Sequence, residues 1–127
     1  EYRRKIAEYY IANIQNDKII LPQITNHQSL ITNHLPLITH HVFHLFVIHT
    51  LHRNQLHQYL ADNDIQTLIH YPIPPHKQIA YSEFNNDAYP ITERIHNEVL
   101  SLPISPVMEW EEVEKVVEVL NNYRIIN

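Results

Sequence analysis

The 127-residue chain contains no glycine and no cysteine. Loops that cradle phosphates bring the backbone close to an anion, and glycine is the usual means. Neither a P-loop nor a dinucleotide-binding fingerprint can stand here in its usual form. Without cysteine there is no disulfide framework and no thiolate metal site, which fits the expectation of a cytoplasmic protein. Long apolar runs are also missing: none approaches the ~20 residues of a membrane-spanning helix, and no secretory signal pattern opens the chain. Basic charge is scarce, with 9 Lys and Arg against 14 Asp and Glu for a formal net charge of -5. Nucleic acid and anionic membranes both call for clustered Lys and Arg. The one such cluster, Arg3-Arg4-Lys5, sits beside Glu1 and Glu8 and reads as a solvated helix face. Neither partner is expected.

What is present suits one soluble domain over residues 1–127, with 44% hydrophobic and 18% charged residues. The chain opens at Glu1 inside a helical pattern, and the expectation is a fragment or a processed product. From Glu1 to Gln15, Ile6, Tyr9, Tyr10 and Ile14 recur at helical spacing. Ile19 to Leu21 reads as a short extended piece before Pro22. Ile24 to Leu30 (ITNHQSL) is followed by Ile31 to Leu37 (ITNHLPL), and Ile38 to His41 begins a third copy. A period of seven suggests a coiled coil, but Pro36 and the β-branched Ile-Thr pairs oppose a helix. The expectation is an irregular insertion at about 22–41.

Val42 to Thr50 is β-branched and aromatic and reads as the best strand. Asn54 to Asp62 reads as a helix with Leu56, Tyr59 and Leu60 inward, ended by Asn63-Asp64. A second strand follows at Ile65 to His70. Tyr71 to Gln78 (YPIPPHKQ) holds three prolines and must be an extended loop, and looser chain continues to Asp87. Pro90 starts a helix to about Glu98, with Ile91, Ile95 and Val99 in one stripe. Leu100 to Leu102 is a third strand. From about Glu109 the last helix carries Val113, Val116, Val117 and Leu120 on its apolar face, with an acidic first turn at the positive end of its dipole. The expected fold is α+β: a small, three-stranded, mainly antiparallel sheet covered by helices on one face. The other face needs a further cover.

Residues Ile65 to Gln78 read IQTLIHYPIPPHKQ, and Leu100 to Val107 read LSLPISPV, followed by EEVEKVVEVLN. With HLFVI at His44 to Ile48, these motifs and their order closely resemble the C-terminal small domain of DegT-type pyridoxal-phosphate (PLP) sugar aminotransferases. The nearest subgroup acts on dTDP-3-keto-6-deoxyhexoses. The resemblance implies a fold-type I enzyme that moves an amino group from glutamate to a nucleotide-linked keto sugar. It implies a large domain, absent here, that supplies PLP, its Schiff-base lysine and the phosphate loop. It also implies a homodimer in which the small domain closes over the active site. Lys77 and Lys115 do not match the family's lysine context, so no catalytic residue is assigned and the chain alone is expected to bind no cofactor and to be inactive. Carried over by position, His70, Tyr71 and His76 are the candidates for substrate or cofactor contact.

The sequence departs from that pattern in four places. Asp64 stands where the family usually has glycine. Glu109 replaces the usual Thr or Asp before the last helix, a weaker cap. His49 replaces arginine after the strand run, and the repeat is longer than expected.

The YPIPPH segment also has physical sense of its own. Its prolines fix φ near -65° and lower the entropy of the free loop. Tyrosine offers a flat apolar face and a hydroxyl, and histidine donates or accepts near neutral pH. The plainer alternative is that His70 ends a strand and His76 is a hydrogen-bonded surface residue. His44, read as mid-strand, is expected to be structural. The chain's 11 histidines raise a rival reading, a metal-responsive binding module. No HExxH motif or cysteine pairing supports it, and no metal ligands are assigned.

Overall fold

A computed structural model describes residues 1–23 and 41–125. Most of the seven-residue repeat lies outside them. The elements are α1 (Tyr2–Asn13), β1 (Phe46–His49), α2 (Arg53–Asp62), α3 (Pro90–Glu98), β2 (Val99–Leu102) and α4 (Trp110–Asn122). Two short 3-10 turns, Pro75–Lys77 and Ile79–Phe84, lie between α2 and α3.

The helical periods translate directly into burial. Ile6 and Tyr10 of α1, Leu56 and Leu60 of α2, and Val113, Val116, Val117 and Leu120 of α4 all join one core. Apolar residues three and four apart fall on one helix face, and that face is driven inward. Tyr10 also donates its hydroxyl to the Pro103 carbonyl at 2.9 Å, and its ring meets Phe46 edge to face at 5.2 Å. Burial, and then Glu112, push the Tyr10 phenol well above its ordinary pKa. Below α4, the carboxylate of Glu112 accepts the Glu109 N–H at 2.8 Å. The cap expected to be weak is thus reinforced by a capping-box contact.

The sheet is smaller than expected. β1 and β2 run antiparallel, with Phe46 opposite Leu102 and Ile48 opposite Leu100. Residues opposite each other share a face, so Phe46, Ile48, Leu100 and Leu102, all buried, form the inner one. The expected second strand, Ile65 to His70, contributes only a single bridge, Leu68 to Ser101, and Ile20 makes another to His49 at the opposite edge. The described ladder therefore has two strands rather than three. The expected strand Val42 to Thr50 is also cut short. Phe43 has φ 46°, which breaks the extended run, and exposed His44 lies at a bend outside β1 rather than mid-strand.

A chain without glycine still needs left-handed backbone, and among the described residues Phe43, Asp64 and Tyr71 take it. Asp64 shows why. The Ile65 N–H reaches the Leu60 carbonyl at 2.9 Å and the Asp64 N–H reaches Ala61 at 3.0 Å. This is a Schellman ending, with buried Leu60 and Ile65 as its apolar pair. The geometry demands positive φ, and Asp64 supplies it at 60°. Asp64→Gly is expected to stabilise the chain by about 0.5–1 kcal/mol, since the Lys115 contact it loses is long and exposed, at 3.8 Å. A urea midpoint that stays put or falls would show that Asp64 carries no strain. Among the described residues, no helix is long and apolar enough to cross a membrane.

Candidate functional site

The inner sheet face is filled by the core. The outer face carries Val47, His49, Val99 and Ser101, and the segment after Ile65 runs beside β2 at the edge of the sheet. Leu68 bridges Ser101, and side chains two apart share a side. His70 therefore returns to the same face, where its Nδ1 and the Ser101 hydroxyl lie 2.9 Å apart. This anchors the chain just before the proline loop.

Tyr71 then turns outward. It has φ 54° and is 75% exposed, with its ring 6.4 Å from that of His70. Its carbonyl accepts a hydrogen bond from Nδ1 of His96 in the last turn of α3. The α3 end is in turn tied to the core, because the buried Arg53 donates to the His96 carbonyl at 3.2 Å. His70 and Tyr71 are thus brought together and held.

His76 is placed differently. It is only 7% exposed, with Nε2 2.9 Å from Glu93 and its ring edge-on to Tyr89 at 4.8 Å. The His76 hydrogen bond, followed by that from the Tyr89 N–H, holds the Glu93 carboxyl below the usual carboxylate range. His76 pins the proline loop to α3 and is not presented at the surface; of the sequence candidates, Tyr71 alone stands fully out. Arg53, Glu93, His96 and Ser101 escaped sequence reading. Each meets its partner across a gap of at least 17 residues, and no local period marks such pairs.

The stretch from Tyr71 through α3 carries many exposed apolar side chains. Ile73, Ile79, Tyr81, Phe84, Tyr89, Ile91 and Ile95 are all exposed, Ile79 at 95%. Ile91 and Ile95, in the stripe read along α3, are not covered by any of the described residues. A separate cleft of about 340 Å³ lies between the end of α2 and α4, lined among others by Asp64, Met108 and Lys115; none of the site candidates lines it.

The described histidines gather into no cluster. His41 accepts the Phe43 N–H at 3.0 Å, His57 meets Thr67 at 2.7 Å, and His70, His76 and His96 have the partners given above. Among the described residues, no three His, Asp or Glu side chains gather closely enough to hold a metal. His27, His34 and His40 lie outside them.

A PLP site needs an enclosed amine for the Schiff base. The chain's lysines do not fit that role. Lys5, Lys18, Lys77 and Lys115 are exposed. Lys18 pairs with Asp17 at 2.7 Å, and Lys77 donates to the Asn85 and Asp87 carbonyls at 2.7 and 3.2 Å. Lys77 is a staple of the turn between the proline loop and α3.

Comparison with known proteins places this arrangement. The DegT/DnrJ/EryC1/StrS aminotransferase family matches residues 1–121. The chain is 53% identical over 121 residues to dTDP-3-amino-3,6-dideoxy-alpha-D-galactopyranose transaminase of Aneurinibacillus thermoaerophilus, covering 95% of this chain and 30% of that protein. Its structure resembles DesV of S. venezuelae in complex with a ketimine intermediate, with TM-score 0.79, 28% identity, and coverage of 98% of this chain and 32% of the other. It also resembles NtdA from Bacillus subtilis with bound cofactor PMP, with TM-score 0.73, 27% identity, and coverage of 94% and 27%. The chain thus spans about a third or less of the length of the relatives it matches. It belongs to the DegT/DnrJ/EryC1/StrS aminotransferase family.

Proposed function

We propose that this chain is the C-terminal, substrate-closing domain of a PLP-dependent transaminase. The reaction moves an amino group from glutamate to the 3-keto carbon of a dTDP-linked 6-deoxyhexose. The 53% identity to a dTDP-sugar transaminase supports the dTDP sugar; the glutamate donor is carried over from the resemblance alone. The observation that carries the reading is Tyr71, turned outward on left-handed backbone at the start of a proline-stiffened loop.

In this reading Tyr71 offers its ring face to the sugar and its hydroxyl to a sugar oxygen. The exposed apolar residues from there through α3 exclude water once covered. His70 and His76 hold the loop at its two ends, against Ser101 and Glu93. The exposed apolar surface between Tyr71 and Ile95 is covered by the large domain and a second subunit of a cytoplasmic homodimer. The cofactor and its lysine belong to the large domain, and the 127-residue chain alone turns over no sugar nucleotide.

A hybrid enzyme tests this. Residues 1–121 would replace the matching stretch of the Aneurinibacillus thermoaerophilus transaminase. Expected results are amination of a dTDP-3-keto-6-deoxyhexose by the hybrid and none by the isolated chain supplied with PLP and glutamate. A hybrid that folds and loads PLP but leaves the sugar untouched sinks the proposal, as does turnover by the isolated chain.

A further inference from the structure

The Tyr71 carbonyl can only accept a hydrogen bond, so Nδ1 of His96 must carry the proton in their contact. A β-carbon makes left-handed backbone unfavourable, and a bulky exposed residue there needs its surroundings to hold it. Tyr71 has φ 54° and is exposed, so its own packing does not hold it. What does hold it is a chain of contacts leading to the core: Arg53 to the His96 carbonyl at 3.2 Å, and the His96 ring to the Tyr71 carbonyl. The His70–Ser101 contact fixes the residue before it.

We infer that His96 is a positioning residue: its Nδ1–H holds the Tyr71 backbone left-handed and so sets the direction in which the phenol meets the sugar nucleotide. This inference rests on the proposed substrate-facing role of the Tyr71 loop. It goes further by assigning the geometry to one proton on one ring nitrogen of α3. Imidazole Nδ1 and the asparagine amide nitrogen both stand two bonds beyond Cβ, so asparagine can replace the donor, whereas the glutamine amide stands one bond too far.

Two measurements test it. On the isolated chain, NMR couplings and carbon shifts report the Tyr71 backbone. His96→Ala is expected to abolish the positive-φ signature at Tyr71, His96→Asn to keep it, and the β1–β2 cross-strand signals to stay unchanged in both. In the hybrid enzyme, His96→Ala is expected to raise KM for the sugar nucleotide roughly tenfold, with kcat much less affected. His96→Asn should restore KM and His96→Gln should not. A Tyr71→Ala hybrid separates the two ideas. If Tyr71→Ala raises KM and His96→Ala does not, the positioning role is wrong and the substrate-facing loop stands. If Tyr71→Ala leaves KM unchanged, the loop reading itself fails. A positive φ at Tyr71 that survives His96→Ala overturns the inference by itself.

Discussion

Tyr10→Ala is expected to lower the free energy of unfolding by about 3–5 kcal/mol, the range for removing a buried aromatic side chain. Tyr10 is fully buried, and it joins three parts of the fold at once. Its helix, α1, packs beside α4; its ring meets Phe46 of β1; its hydroxyl caps the Pro103 carbonyl ahead of α4. A domain of this size is stable by roughly 5–15 kcal/mol, so the loss is a large fraction of the whole and lowers the thermal midpoint by roughly 10–20 °C. Tyr10→Phe separates the two contributions. The ring stays against Phe46, the Pro103 carbonyl loses its donor, and the cost falls to about 1–2 kcal/mol. Urea denaturation followed by circular dichroism reads both variants. A loss below about 1 kcal/mol for the alanine variant would mean that α1 is not anchored through this residue.

Asn16→Ala is expected to cost about 2–3 kcal/mol, although only a small polar side chain is removed. The last four carbonyls of a helix lack partners within it. At the end of α4, the Asn16 amide donates to the Leu120 carbonyl at 2.7 Å and the Tyr123 carbonyl at 3.0 Å. Its oxygen accepts the Lys18 N–H at 3.0 Å. Asn16 is buried, so water cannot readily replace those bonds. Amide hydrogen exchange should locate the damage at the end of α4 and at residues 16–18. Unchanged exchange there, or an unchanged urea midpoint, would refute a capping role for Asn16.

The two residues were not equally visible in the sequence. Tyr10 lies on the apolar stripe of α1 with Ile6 and Ile14, and its burial follows from spacing. Asn16 reads as a helix stop and nothing more, because the two carbonyls its amide caps lie more than 100 residues away. The candidate loop divides in the same way. Three prolines announce a stiff, surface-running segment, and Tyr71 does stand out from it. His76 gives no sign in the sequence that it turns inward to Glu93, and His96 none that it reaches Tyr71. The strands were read as longer than they are because β-branched and aromatic runs also fill the edges of a core. Propensity does not locate the residue, here Phe43, at which extended backbone breaks.

Local order was therefore settled by the sequence alone: the inward faces of α1, α2 and α4, and the place where α2 stops. Those features depend on residues within a turn or two of one another, and their periods and backbone preferences are written in adjacent positions. The tertiary structure decided the number of paired strands, which non-glycine residues adopt left-handed backbone, and which histidine meets which partner. Such choices arise from contacts that span 17, 25 and 31 residues at His76, His96 and His70. Chain folding brings those groups together, and no property of either residue's neighbours in sequence encodes the meeting.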